Sequence, residues 1–416
     1  MEFYQHQKNI LQENKQKCGL FLGTGSGKTR VAAALAEGVT LVICPKQQAV
    51  DKTWEKEWEA QHKNSLLYVL SKEQFKKCIT VAGSFFVNGC KYPDTIIVDE
   101  AHTVAGVTPF TRQKHYQKYP KTSQIYDAVH RYINTSNPKR VYLLTATPVP
   151  QPMAVWGLGR LLGKKWDFYK WRDQFYFEQS MRGRIIYMPN RSATNKILMD
   201  KLVRSIGYVG GISDFVDVPD QVYKEHNVGM TGEQSKKLHE LKMLYPDPLV
   251  QVGKRHQLEQ GIFEGEHINE QKAEAIEQYF NEFKKVIVFC KYTAQIEYYQ
   301  KHFAKVTRVF VLNGKTPNEE RKNMMKTVGG VAHCVVLVQS SVSAGWECPG
   351  IMCMIFASNS YSYVDRIQAE GRIQRINHVK KNIYIDLVAG EIDEKVLKCI
   401  KSKVDFSEYT YAKKGS

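Results

Sequence analysis

Residues 20–38 read LFLGTGSGKTRVAAALAEG. Three apolar residues run into a stretch in which glycine holds every other place from 23 to 27, and an alanine-rich segment follows. The pattern predicts a buried strand, a tight turn and a helix. Gly23, Gly25 and Gly27 allow the turn because no Cβ stands in the way. The amides that open the helix then face an anion, which the helix dipole also favours. In such a cradle Gly25, Ser26 and Gly27 offer backbone donors and Lys28 reaches the outer phosphates of a nucleotide. Thr29 presents a hydroxyl to Mg²⁺, and Arg30 follows on the helix. The usual spacing has one more glycine six places before the lysine; here that place is Leu22.

The rest of the chain sets the context for that loop. At 416 residues and 43% hydrophobic content it can bury two ordinary cores. No run approaches the roughly 20 apolar residues that span a bilayer, and the polar start MEFYQHQKNILQENK has no signal-peptide core. Nine scattered cysteines, with Cys44, Cys290 and Cys334 inside apolar runs, suit buried thiols in a reducing cytoplasm. The formal charge is +17, from 59 basic and 42 acidic side chains. That balance attracts polyanions, nucleic acid first. Charge alone leaves a solvated lysine-rich surface equally open.

Short apolar runs alternate with helical segments in the first third: GLFL, VTLVIC, SLLYVL, DTIIVD and KRVYLLT. The pattern returns from residue 285 as KVIVFC, RVFVL, CVVLV, IMCMIFA and NIYIDLV. Each run reads as a strand buried on both faces of a parallel sheet. Thr316-Pro317-Asn318-Glu319 predicts a helix start, with Thr316 as N-cap and Glu319 completing a capping box. The expected architecture is α/β, with two parallel-sheet lobes in tandem and a largely helical insertion between them. The expected boundaries are 1–155 for the first lobe, 156–221 for the insertion and linker, and 222–416 for the second. DFVDVPDQ, around Pro219, is the linker candidate. Residues 164–184, KKWDFYKWRDQFYFEQSMRGR, interleave bases with aromatics. That mixture could stack nucleobases, but aromatics at helical spacing favour a local core.

IIVDEAH, 96–102, ends an apolar strand in two acids. Asp99 is placed to hold Mg²⁺ through water, and Glu100 to position an attacking water. In QAEGRIQRI, 368–376, Arg372 and Arg375 stand three apart, which predicts one helical face. Arginine suits a shared anion because its planar fork stays charged.

GTGSGKT, DEAH, LTATPVP (144–150) and QAEGRIQRI resemble, in order, the motifs of superfamily-two helicases. VTLVICPKQQAVDKTW, 39–54, and the tail 375–403 are most similar to the Swi/Snf-type branch and its compact phage and bacterial relatives. The resemblance spans most of residues 3–403. It implies RecA-like lobes, ATP and Mg²⁺ as cofactors, and catalytic roles for Lys28, Asp99, Glu100, Gln368, Arg372 and Arg375, the last as arginine finger. It implies that Gln5 reads the adenine edge, and that Gly345 and Glu347 lie near the ribose. His102, Thr145 and Thr147 are implied to couple nucleotide state to a nucleic-acid track. Strand-end residues Pro45, Lys46, Ser84, Lys291, Ser340 and Ser341 are candidate backbone contacts, holding phosphate without reading bases. The loop and the finger fall in different lobes, so hydrolysis is expected to need lobe closure. The function expected is an ATP-dependent DNA helicase or translocase acting on duplex, forked or branched DNA. That protein is expected to be cytoplasmic and monomeric, with no membrane partner. An RNA helicase, or the motor subunit of a larger DNA-processing machine, is the alternative.

Overall fold

A computed structural model describes residues 3–82, 92–114, 117–181, 184–211, 214, 220–342, 346, 348, 350–373, 381–403 and 405–406. The chain divides into two units, residues 1–216 and 217–416. The division falls inside the stretch expected as a linker, of which 215–219 lie outside the described residues.

The first unit supplies strands β1 (Lys17–Leu22), β2 (Thr40–Cys44), β3 (Leu67–Ser71), β4 (Thr95–Val98), β5 (Val107–Lys114), β6 (Gln117–Thr122), β7 (Arg140–Leu144), β8 (Tyr176–Met181), β9 (Arg184–Pro189) and β10 (Gly207–Gly210). Six of them form one sheet in the order β10-β1-β7-β4-β2-β3, every pairing parallel. Strand side chains alternate between faces. Phe21, Leu41, Ile43, Ile96 and Val98 therefore pack in one core cluster, while Leu20, Leu22, Val42, Cys44 and Ile97 pack in another. Helices on both sides bury these faces, which is why the strands read as unbroken apolar runs.

Residues 156–221 hold the helices Phe168–Phe175 and Ala193–Ile206 and the end of Pro152–Leu161, with the strands β8, β9 and β10 among them. Trp156, Leu158, Phe168, Trp171, Phe175, Met199 and Val203 pack into the first unit's core. Residues 207–210 then add the edge strand β10 beside β1. Two antiparallel hairpins, β5–β6 and β8–β9, stand apart from the main sheet.

The second unit adds β11 (Gln221–Asn227), β12 (Ile262–Phe263), β13 (Glu266–His267), β14 (Lys285–Cys290), β15 (Arg308–Leu312), β16 (Cys334–Gln339), β17 (Cys353–Phe356) and β18 (Asn382–Val388). Its sheet, β11-β18-β17-β14-β16-β15, is again parallel throughout. The expected start of the helix Asn318–Gly330 differs in detail. Pro317 stands at the N-cap, and the Thr316 hydroxyl instead accepts the Asn313 amide at 3.2 Å, closing the preceding turn.

A buried polar network braces the second unit. Lys272 Nζ donates to Asp393 Oδ2 at 2.8 Å and to the Ala357 carbonyl at 2.7 Å. His256 Nε2 lies 3.0 Å from Asp393 Oδ1, and the Tyr292 hydroxyl lies 2.9 Å from His256 Nδ1. Glu259 ends the helix Pro248–Glu259 and accepts the amides of Ile392 and Asp393 at the start of Glu391–Lys401. That approach needs Gly390: a Cβ there would sit 2.5 Å from the Glu259 carboxyl carbon.

Candidate nucleotide and nucleic-acid site

β1 ends at Leu22, and the helix Lys28–Leu35 starts after a five-residue turn, as the glycine pattern requires. Gly25 and Gly27 have φ of 79° and 77°, the left-handed region that favours glycine. Leu22 is buried in the core, so the turn opens at Gly23. Lys28 Nζ donates to the carbonyls of Leu22 at 2.8 Å and Gly23 at 3.0 Å, and the Ser26 hydroxyl donates to Gly23 at 2.7 Å. Thr29 is the helix's second residue, and the Arg30 guanidinium lies 4.5 Å from the Phe3 ring centre. No side chain caps the helix N-terminus. Glycine at the N-cap and a lysine folded over the loop fit a cradle for a triphosphate.

The loop is held from behind by residues that no motif marks. Buried Gln7 donates from Nε2 to the Ser26 carbonyl at 2.9 Å, and His6 Nε2 lies 3.2 Å from the same oxygen. A Cβ on Gly27 would come within 2.4 Å of Gln7 Nε2. Gln5 instead bonds Asn9 at 2.8 Å. With His6, Leu22, Arg204 and Tyr208 it lines a cavity of about 530 Å³.

At the end of β4 the two acids differ in setting. Asp99 is buried and accepts the Glu100 amide at 2.8 Å. Burial, and then the neighbouring Glu100 charge, push its carboxyl up to about 6. Burial also lifts Glu100, but the His102 hydrogen bond and the charges of Lys28 and Lys72 outweigh it and hold the group below its ordinary value. Glu100 has φ 47° and ψ 51°, a conformation that costs a non-glycine residue about 1–3 kcal/mol and recurs at functional sites.

His102 joins these acids to the next turn. Its Nδ1 lies 3.3 Å from Glu100 Oε2 and 2.8 Å from Thr145 Oγ1, just beyond β7. Thr145 Oγ1 also accepts the Thr147 amide at 3.0 Å. Glu100 and Thr145, far apart in sequence, thus meet through one ring nitrogen, with Asp99 joined through the Glu100 amide and Thr147 through its own. Two neighbours escaped sequence reasoning. Lys72, first in the helix Lys72–Ala82, donates to the Thr103 hydroxyl, and its ammonium is pushed down by burial despite the nearby Glu100 and Asp99. The Gln48 side chain bonds Asp99 and accepts the Trp54 indole N–H at 3.2 Å. An isolated lysine or glutamine gives no pattern to find.

In the second unit, half-buried Gln368 lies on the helix Tyr363–Glu370. That helix ends at Glu370 with Gly371 as its C-cap, so Arg372 occupies the following turn; Arg375, expected on the same helical face, lies outside the described residues. The Arg372 guanidinium donates to the carbonyls of Gln368 at 2.9 Å and Trp346 at 3.0 Å. Arg375, Gly345, Glu347 and Ser84 lie outside the described residues.

The remaining candidate contacts follow strand ends. Pro45 and exposed Lys46 come after β2. Lys291 comes after β14, with its amide on Ser358 Oγ at 2.7 Å and its ammonium 2.8 Å from the Tyr361 ring centre. Ser340, buried, and Ser341, exposed, follow β16.

With this geometry in hand, residues 271–377 match the helicase conserved C-terminal domain. The matched span holds β14 to β17, Gln368 and both arginines. Comparison with curated proteins gives no match. Among solved structures, the Sulfolobus solfataricus SWI2/SNF2 ATPase core in complex with dsDNA matches at 16% identity with a TM-score of 0.41, over 97% of this chain and 91% of that one.

A phosphate-type loop, two unlike carboxylates and a threonine turn therefore converge on the C-terminal ends of β1, β4 and β7, which adjoin in the sheet. That edge is where open α/β sheets bind ligands.

Proposed function

We propose that this chain is an ATP-dependent DNA translocase of the helicase type, working on duplex, forked or branched DNA. The observation that carries the proposal is the His102 bridge, which ties the paired acids after β4 to the threonine turn after β7. Such a link is what a nucleotide site needs if its state is to be felt elsewhere. The +17 charge supports a polyanionic track.

Lys28, the loop amides and Thr29 would hold ATP and Mg²⁺, with Asp99 on the cation. Bound together, these supply an electrophilic phosphorus with its charge partly neutralised. Glu100, kept ionised by His102 and two lysines, orients a water and accepts its proton. Lys28 stabilises charge on the outer phosphate oxygens, and Gln5 meets the base. On this proposal turnover draws on both units, with Arg372 and Arg375 in the second stabilising transition-state charge.

The division of labour is testable by nucleotide binding and ATPase assays side by side. Lys28→Ala should abolish turnover and weaken ATP binding. Arg375→Ala should slow turnover by roughly 10³-fold or more, in line with arginine fingers elsewhere, while sparing most nucleotide affinity. Equal loss of binding in both variants would contradict it.

A further inference from the structure

The two hairpins of the first unit, with the segments flanking the second, are not needed for the nucleotide cradle, yet these stretches concentrate charge. Residues 107–122 carry four basic and no acidic side chains, and 164–191 carry seven basic and three acidic, a net +8. Nearly half of the protein's +17 thus falls on about a tenth of its length.

The aromatics of the same segments split by face. Phe168, Trp171, Phe175 and Tyr176 are buried in the core, as helical spacing favours. Phe110 and Tyr169 are not: they are 39% and 40% exposed, and Ile185 is 56% exposed. Phe110 on β5 meets Tyr187 on β9 edge to face, with ring centres 5.3 Å apart, so the hairpins touch. The Arg172 guanidinium lies 5.0 Å from the Tyr187 ring and 5.3 Å from the Tyr169 ring, and it donates to the Tyr187 hydroxyl at 3.2 Å. Two acids in the region are engaged locally, Asp173 with Arg172 and Glu178 with the Tyr187 hydroxyl.

We propose that the two hairpins, with Tyr169 and Arg172 between them, form a second nucleic-acid surface that takes unpaired bases of DNA. Exposed rings beside an arginine plane offer flat faces, and a base presents its own flat face only when it leaves the duplex stack. The surrounding cations suit the phosphates between such bases. Charge complementarity favours nucleic acid over an apolar protein partner. The first hairpin also follows the site described above: β5 begins five residues after His102. This inference rests on the proposed DNA function but assigns a surface beyond it.

The test compares wild-type protein with the double variant Phe110→Ala, Tyr169→Ala. It measures affinity for single-stranded, forked and blunt duplex oligonucleotides at fixed salt, and ATPase without nucleic acid. Stacking is worth about 1–3 kcal/mol per base, so affinity for single-stranded and forked DNA should fall about tenfold or more. Blunt-duplex affinity and basal ATPase should stay unchanged, and the conservative pair Phe110→Tyr, Tyr169→Phe should bind as wild type does. Unchanged single-strand and fork affinity in the alanine variant would overturn the surface, and so would an equal loss on all three DNAs. Wild-type protein that binds forks through these rings but hydrolyses no ATP would overturn the motor and leave the surface standing.

Discussion

Glu100, His102 and Thr145 show how much of the candidate site rests on single contacts. The imidazole Nδ1 faces a carboxylate on one side and a hydroxyl on the other, and it satisfies both only by sharing. His102→Ala removes that link without touching the loop. DNA stimulation of the ATPase, taken as the ratio of stimulated to basal rate, should drop roughly tenfold, the worth of one good charge-assisted hydrogen bond, beyond the fall in basal rate from the lost Glu100 partner. Steady-state rates with and without DNA check this, and an unchanged stimulation ratio would break the coupling role. Lys28, Asp99 and Glu100 were legible because their chemistry demands fixed neighbours in sequence. Gln7, His6, Lys72 and Gln48 were not, because each reaches the site from a different element and its role exists only once the chain is folded. Arg372 was half legible. Its place after the helix Tyr363–Glu370, with its guanidinium on the Gln368 and Trp346 carbonyls, could not be read from spacing.

At the level of elements, the ten main-sheet strands expected from apolar runs all formed, because parallel strands buried on both faces leave continuous hydrophobic stretches. β10 and β11, short or mixed in polarity at the sheet edges, gave no such signal. The hairpin at 176–189 was hidden because YFEQSMRGRIIYMP shows no sustained alternation of apolar and polar residues. The join between the helices Pro248–Glu259 and Glu391–Lys401 carries a pH prediction. Burial, and then the Asp393 charge, push the Glu259 carboxyl from 4.5 up to about 7. A group raised in the folded state favours folding below its unfolded value and loses that advantage as pH rises through the folded one. Glu259→Gln should therefore gain stability relative to wild type between pH 5 and pH 8, on the order of 2 kcal/mol. His256, which burial pushes down, opposes this trend in both proteins and cancels in the comparison. Urea melts at the two pH values decide it; a constant gap between the proteins would show that Glu259 does not titrate in that range.

Across the whole molecule, two parallel-sheet units of similar size each place charged and hydroxyl residues at strand ends. Among the described residues no helix is long and apolar enough to cross a membrane. The net positive charge is shared by many segments, so a DNA track would contact many cations at once and binding would weaken steeply with salt. A DNA translocase couples nucleotide cleavage to its track, so DNA should stimulate hydrolysis by this chain. The most direct measurement is the ATPase rate of the purified full chain on single-stranded, duplex, forked and four-way DNA, beside RNA of equal length and the Lys28→Ala protein. Strong stimulation by DNA, weaker stimulation by RNA and no turnover in the variant are expected. Stimulation by RNA alone, or no hydrolysis with any polynucleotide, would contradict this.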